Sequence, residues 1–245
     1  MATSAQVGSV RRWGRLVAEG LLIVFSILLA FGIEAWWSQR GERQAEAEAL
    51  QGLRDDFVET HRRLASAMSE HVAVRDASVR LLAMTAPDAS QTVSDLVMDT
   101  LVMALIAGPK VLPVTATYDA LIASGRIEIL ENSTLRRELA RWSTAVVDLR
   151  EEERDAFRQM DQRLLPYLWD YVPVVSLDVN VHPRYEGVDL SQSRFSRRYR
   201  DLLRSMRFEN AVEERMNSSI RVIERLTEAE RVSGRVLDLV QGELR

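Results

Sequence analysis

Three histidines, several runs of acids and one arginine cluster are the residues of this chain whose types lend themselves to chemistry. His61 and His71 stand ten apart, which turns them about 280° from one another on a helix. Neither has a second ligand three or four residues away, and His182 stands alone before Pro183. That spacing specifies no metal centre. Asp55-Asp56 and Glu151-Glu152-Glu153 sit in charge-alternating stretches and read as solvated helix faces rather than paired catalytic acids. Glycine-rich phosphate loops, GxSxG and HExxH are absent. The chain has no cysteine, which excludes disulfides, thiol catalysis and cysteine metal sites. The densest basic patch is Arg197-Arg198-Tyr199-Arg200, with Arg194 and Arg204 nearby. Basic side chains beside an aromatic can meet phosphates, but a net charge of −4 gives no overall field for nucleic acid. The cluster reads as an exposed helix start whose arginines pair with acids on a neighbour, with membrane-surface contact as the alternative. Asn132-Ser133-Thr134 and Asn217-Ser218-Ser219 match the glycosylation pattern and read as capping or helix-surface residues. The expectation is a protein that is not an enzyme, with no cofactor, no metal and no nucleic-acid partner.

The stretch that organises the rest is Leu16–Trp37, whose centre, Gly20–Ile33, carries no charge. About 20 apolar residues span a bilayer as a helix, and this run reaches that length with Glu19 and Glu34 near its ends. Both acids read as interfacial. The functional alternative pairs one of them with a polar group on a partner helix, and Glu34 is the stronger candidate because Ala35, Trp36 and Trp37 extend the apolar run. Trp13 on one side and Trp36-Trp37 on the other fit the two aromatic belts. No GxxxG is present, so a dimer seam is not specified. The basic start suits a signal sequence, but Ile33-Glu34-Ala35-Trp36-Trp37 is a poor cleavage site, which favours an uncleaved signal anchor. Arg11, Arg12 and Arg15 precede the span and Arg40, Arg43 and Arg54 follow it. The balance leans towards a cytoplasmic N-terminus and residues 38–245 outside the inner membrane.

Behind the span, few glycines and prolines (11 and 6 in 245 residues) favour long helices. Residues 38–84 carry an amphipathic stripe at Leu50, Leu53, Phe57, Leu64, Met68, Val72, Val79 and Leu82. A turn at 86–90 leads to a helix over Asp95–Ala107, capped near Ser94 and stopped by Gly108-Pro109. After an extended 110–114, Thr115 or Thr117 caps a short helix over Tyr118–Ser124, with Gly125 as its left-handed end. A long helix over Thr134–Leu165 uses Leu135, Leu139, Trp142, Val146, Leu149 and Phe157, and ends at Pro166. The stretch 173–193 reads as loop. A last helix over Ser196–Leu239 uses Leu203, Met206, Met216, Ile220, Ile223, Leu226, Leu237 and Val240. The fold class is all-α: a basic tail (1–15), a transmembrane helix (16–37) continuing into a long amphipathic stalk helix (38–84), and an antiparallel helical bundle (85–245) packed with the stalk.

Two stretches, LLIVFSILLAFGIEAWWSQRGER (21–43) and TATYDALIASGRIEILENSTLRREL (115–139), together resemble a family of uncharacterised bacterial single-pass membrane proteins. In that family an acidic or amide residue before tryptophan closes the span, and a Tyr–x–x–Leu–x–x–Ser–Gly turn precedes an asparagine-led helix start. The matching positions are Glu34, Trp36 and Trp37, then Tyr118, Leu121, Ser124, Gly125, Asn132, Leu135 and Arg136. The resemblance implies membrane anchorage and a helical domain, and no activity. Read physically, the second motif is a helix–turn–helix corner: Tyr118 and Leu121 face the core, Gly125 supplies a positive φ, and Asn132 or Ser133 caps the next helix. A recognition role at that corner is the functional alternative. The expected function is a membrane-anchored scaffold, accessory or protein-binding subunit, partnered by the lipid bilayer and by another protein or a second copy. The alternative is a ligand-sensing bundle signalling through a partner.

Overall fold

The computed structural model describes the backbone of residues 7–87, 93–108, 110–175, 177 and 193–245, and within these the side chains from Leu21 onward except Ile23. The stretch 178–192, with His182, lies outside the described residues. All described secondary structure is helical.

Helix α1, Val7–Thr85, runs unbroken for 79 residues, about 120 Å at 1.5 Å per residue. The expected membrane segment is helical throughout, but side chains are described only from Leu21, and among the described residues no helix is long and apolar enough to cross a membrane. From Ala49 onward α1 is a full member of the bundle. Besides Ala49 and Ala77, its buried positions are Leu50, Leu53, Phe57, Thr60, Leu64, Ala67, His71, Val74, Ser78 and Leu81, an alternation of three and four that is the heptad of a coiled coil.

The chain then turns back along α1. Helix α2, Asp95–Ile106, is capped by Ser94, whose hydroxyl accepts from Val97 N. An extended strap follows, then α3, Ala116–Ala123, and a 3₁₀ turn over Ile127–Ile129. Helix α4, Ser133–Gln159, starts from Asn132. It continues through a wide π turn, Met160–Leu164, into α5, Leu165–Trp169. A short α6, Tyr199–Leu203, precedes α7, Met206–Glu243.

Helix α4 is parallel to α1, and α7 is antiparallel to both. Val236 and Val240 of α7 pack in one apolar cluster with Ala49 and Leu50 of α1 and Leu135 and Leu139 of α4. Phe208 and Val212, at the other end of α7, pack with Ala77 and Leu81 and with Leu101, Val102 and Leu105 of α2. The arrangement is up, down, up, down, with the second leg made of α2, the strap and α3.

Several expectations need correction. Pro166 does not end the long helix. Proline has no N–H, and its ring meets the carbonyl four residues back. The π turn just before it, where Leu165 N reaches Met160 O, widens the ladder so that the helix passes through. The last helix is not continuous from Ser196. It breaks at Arg204-Ser205, where Ser205 accepts from Phe208 N and restarts the helix. On α4, Ala156 takes the buried place expected of Phe157, which is 39% exposed. On α1, Ala67, His71, Ser78 and Leu81 are buried where Met68, Val72, Val79 and Leu82 were expected, and Val79 is 51% exposed. On α7 the buried line is Phe208, Val212, Arg215, Ser219, Val222, Leu226, Ala229, Ser233, Val236 and Val240, while Met206 is 76% exposed. Much of the difference has one reason: small and polar residues such as Ala67, His71, Ser78, Ser219, Ala229 and Ser233 hold core positions, and an apolar pattern passes over them.

Candidate functional site

Three places position polar or apolar groups in ways that bear on function: the projecting arm of α1, the strap and corner beside the bundle, and two buried charge centres.

On the arm, every large apolar side chain described between Leu21 and Trp37 is at least half exposed, on all faces of the helix. Ser26 Oγ donates to Leu22 O at 2.8 Å, so the one hydroxyl of this run is satisfied by its own helix. Trp36 and Trp37 meet edge to face at 5.3 Å, and the Arg40 guanidinium lies 5.6 Å from the Trp36 ring. Glu34 is exposed one turn before Trp37. Glu19 belongs to the part of α1 whose side chains are not described.

The strap at 107–117 is held almost entirely by side chains from the three long helices. Arg215 of α7 donates through Nε to Leu105 O at 2.9 Å and through Nη2 to Ala107 O, closing the C-terminal end of α2. Glu153 of α4 accepts from Val111 N at 2.9 Å. Arg63 of α1 donates to Leu112 O at 2.7 Å. Thr60 both donates to Val114 O and accepts from Val114 N. Asp56 accepts from Thr117 N at 2.7 Å and so caps α3 from another helix. Thr115 stands in the cap position but makes no cap bond; its hydroxyl donates to Asp119 instead. A buried backbone without ladder partners needs this substitution for secondary structure.

Helix α3 comes so close to α1 that a Cβ on Gly52 would lie 2.8 Å from Thr117 Oγ1. Gly52→Ala should therefore lower stability by about 1 kcal/mol despite alanine's better helix propensity. Adding Thr117→Ala should turn that loss into a gain, which a double-mutant cycle by denaturant unfolding reads directly.

At the corner, Leu121 is buried and Tyr118 half-buried against the core. Gly125 has φ 66°, and Ser124 Oγ donates to Ala120 O. Asn132 Oδ1 accepts from Thr134 N and Leu135 N. Its Nδ2 donates to Glu243 Oε1 at 2.7 Å, tying the start of α4 to the end of α7. Arg136 reaches back to Leu130 O. Every polar atom named for the strap and corner, except the Thr115–Asp119 pair, closes a helix end, ties the strap to a long helix or joins two helices.

Between the two apolar clusters lies a polar layer containing His71, Glu153, Arg215, Ser218 and Ser219, all buried. Burial holds the Arg215 guanidinium down to about 10, so it is a cation at neutral pH. Burial also raises the Glu153 carboxyl above its ordinary 4.5, against the Val111 N–H and the charges of Lys110 and Arg150. The folded state then binds this proton more tightly than the unfolded state. Stability contributed by the protonated form is present below 4.5 and is lost as pH rises through the raised value. Glu153→Gln keeps an acceptor for Val111 N and removes that loss. Unfolding at about pH 5 and about pH 8 should show the variant gaining on the native chain at the higher pH. His71, Gly108, Lys110, Glu153 and Arg215 also line a cavity of about 10 Å³, room for one water.

The second charge centre is Asp99 of α2, 1% exposed. Arg197 binds it with two parallel bonds of 2.8 and 2.9 Å, and the Tyr199 hydroxyl donates to the same carboxylate. The hydrogen bond to Asp99 raises the Arg197 guanidinium. Burial, and then that carboxylate, raise the Tyr199 phenol. Arg197 and Tyr199 of the basic cluster are thus committed to the interior, while Arg194, Arg198 and Arg200 are exposed.

No group of three or more histidines, aspartates or glutamates fit to hold a metal occurs among the described residues. No protein-family model, curated protein or solved structure matches this chain.

Proposed function

We propose that this chain is a non-enzymatic, single-pass membrane protein whose helical bundle serves as a scaffold, accessory or protein-binding subunit. The observation that carries the reading is the arm of α1. A helix that is apolar all round and projects from its own bundle needs an apolar surrounding, and the run from Leu16 has the length of a span. Trp36-Trp37 and Arg40 would then lie at one interface, with residues 38–48 as a spacer of about 16 Å before the first core residue. Glu34 would lie just inside that interface, where a basic or polar group on a partner helix can meet it. The resemblance carried by residues 21–43 and 115–139 points the same way.

The sensor reading draws less support. The small cavities in the bundle interior, near Arg215 and Glu153 and near Gln159 and Met160, are each about 10 Å³, too small for an organic ligand. The wider spaces, such as the groove of about 380 Å³ at Gln162, Met206 and Asn210, are open at the surface. Protease treatment of spheroplasts carrying a C-terminal tag tests the topology. Cleavage of the tag supports a bundle outside the inner membrane, and protection places it in the cytoplasm and removes that part of the reading.

A further inference from the structure

Opposite the arm, the far end of the bundle concentrates arginine and aromatic side chains. Within the fourteen residues 194–207 stand Arg194, Arg197, Arg198, Arg200, Arg204 and Arg207, against one acid, Asp201. The whole chain carries −4, so this stretch is basic against the chain's overall charge. Asp99 neutralises Arg197. Three of the exposed guanidiniums lie on rings: Arg194 at 4.9 Å from Phe195, Arg198 at 5.0 Å from Tyr171 and Arg207 at 4.7 Å from Tyr167. A guanidinium stacked in this way is pre-oriented, with its remaining N–H edge available to an acceptor. Arg198 spends one N–H on Asp170 O, which fixes its plane. Beside it, Trp169 is 58% and Phe195 65% exposed. With Asp170, Tyr171, Pro173 and Arg198 these two line an open groove of about 430 Å³, in which Asp170 is the one acid. Exposed aromatic and arginine side chains around a concavity form the composition of a recognition hot spot.

We propose that this groove docks an acidic segment of a partner protein, its apolar side chains against Trp169 and Phe195 and its carboxylates on Arg194 and Arg198. Arg198 in the groove and Arg194 on its Phe195 wall outnumber the one acid, Asp170, so charge complementarity selects the acidic segment. The concavity selects a peptide over a flat lipid surface, which would need no groove, and a chain with net negative charge is a poor nucleic-acid binder. The tip lies near Leu81, about 65 Å along α1 from Trp37, so the partner would be held well away from the bilayer. The inference rests on reading the bundle as a protein-binding module and is independent of the anchor.

The test places a photo-crosslinker in the groove of the full chain, Phe195→p-benzoylphenylalanine, in cells of its source, with the same probe at Ile122 as the control. The expected result is an adduct to one protein, mapped to an acidic segment, whose yield falls at least tenfold on Arg198→Glu or Arg194→Glu. Arg198→Gln should weaken it less, and helical circular dichroism should be unchanged in all three. If the glutamate variants do not fold, a fall in adduct yield with rising salt replaces them. Adducts to phospholipid, to nucleic acid or to segments without acids overturn the proposal. So do a yield no higher than at Ile122 and a yield indifferent to both charge and salt. An acidic adduct in a chain that fractionates away from membranes would keep the docking groove and remove the anchor.

Discussion

Asp99→Ala should lower the unfolding free energy by about 3 to 5 kcal/mol, the usual cost of removing one partner of a buried ion pair. The carboxylate is 1% exposed and takes both parallel bonds of Arg197 as well as the Tyr199 hydroxyl. It is therefore the joint between α2 and the segment leading into α6. Removing it takes from the partly exposed Arg197 guanidinium and the buried Tyr199 phenol the one carboxylate they share. For a chain of this size the loss corresponds to a fall in Tm of roughly 10 °C. Asp99→Asn keeps the shape and two acceptor lone pairs but not the charge, and should cost about half as much. Thermal unfolding followed by circular dichroism separates the two variants. Equal and small losses would mean that Arg197 and Tyr199 find equivalent partners without Asp99.

Leu28→Arg should have the largest effect on where the protein resides. Leu28 is 63% exposed and sits near the middle of the run from Leu16 to Trp37. A leucine there favours insertion slightly, and an arginine opposes it by about 3 kcal/mol on insertion scales. The change shifts the ratio of inserted to uninserted chain by about two orders of magnitude. Leu28→Ala should leave the ratio nearly unchanged. The bundle begins at Ala49, twenty-one residues further on, so its unfolding transition should be the same in both variants. Membrane fractionation measures the first expectation, and denaturant unfolding of the bundle in the two full-length variants measures the second.

Much of this architecture is legible from residue types. Gly125 announces a turn because only glycine takes φ 66° without strain. Asn132 announces a helix start because its side chain can replace the missing backbone acceptor. Leu50, Leu53, Phe57 and Leu64 announce the core face of α1 through their spacing alone. The reading loses register past Leu64 because Ala67, His71 and Ser78 hold the core positions. An apolar pattern passes over small and polar residues, so it selects Met68, Val72 and Val79 instead. The same slip recurs on α7, where Arg215, Ser219, Ala229 and Ser233 are buried. Following the three-four alternation strictly from Leu226 to Val240 and back would have found them.

The strap was harder to see. Thr60, Arg63, Glu153 and Arg215 are ordinary polar residues on long helices. They gain a role only because an extended segment up to 108 residues away lies across them. The pairing of Asp99 with Arg197 is likewise invisible locally, since 98 residues separate them. Sequence did mark the arginines, and it expected acids on a neighbouring element as partners. Arg197 found one in α2, whereas Arg194, Arg198 and Arg207 lie on aromatic rings.

The central claim is that α1 holds this bundle to a bilayer through its apolar arm. Alkaline carbonate extraction of membranes, followed by flotation, tests it most directly when the full chain is compared with residues 38–245. The account predicts that the full chain floats with lipid after extraction, while 38–245 stays in the soluble fraction with its helical signal and cooperative unfolding intact. A full chain released by carbonate would contradict it, as would a 38–245 fragment that floats without the arm.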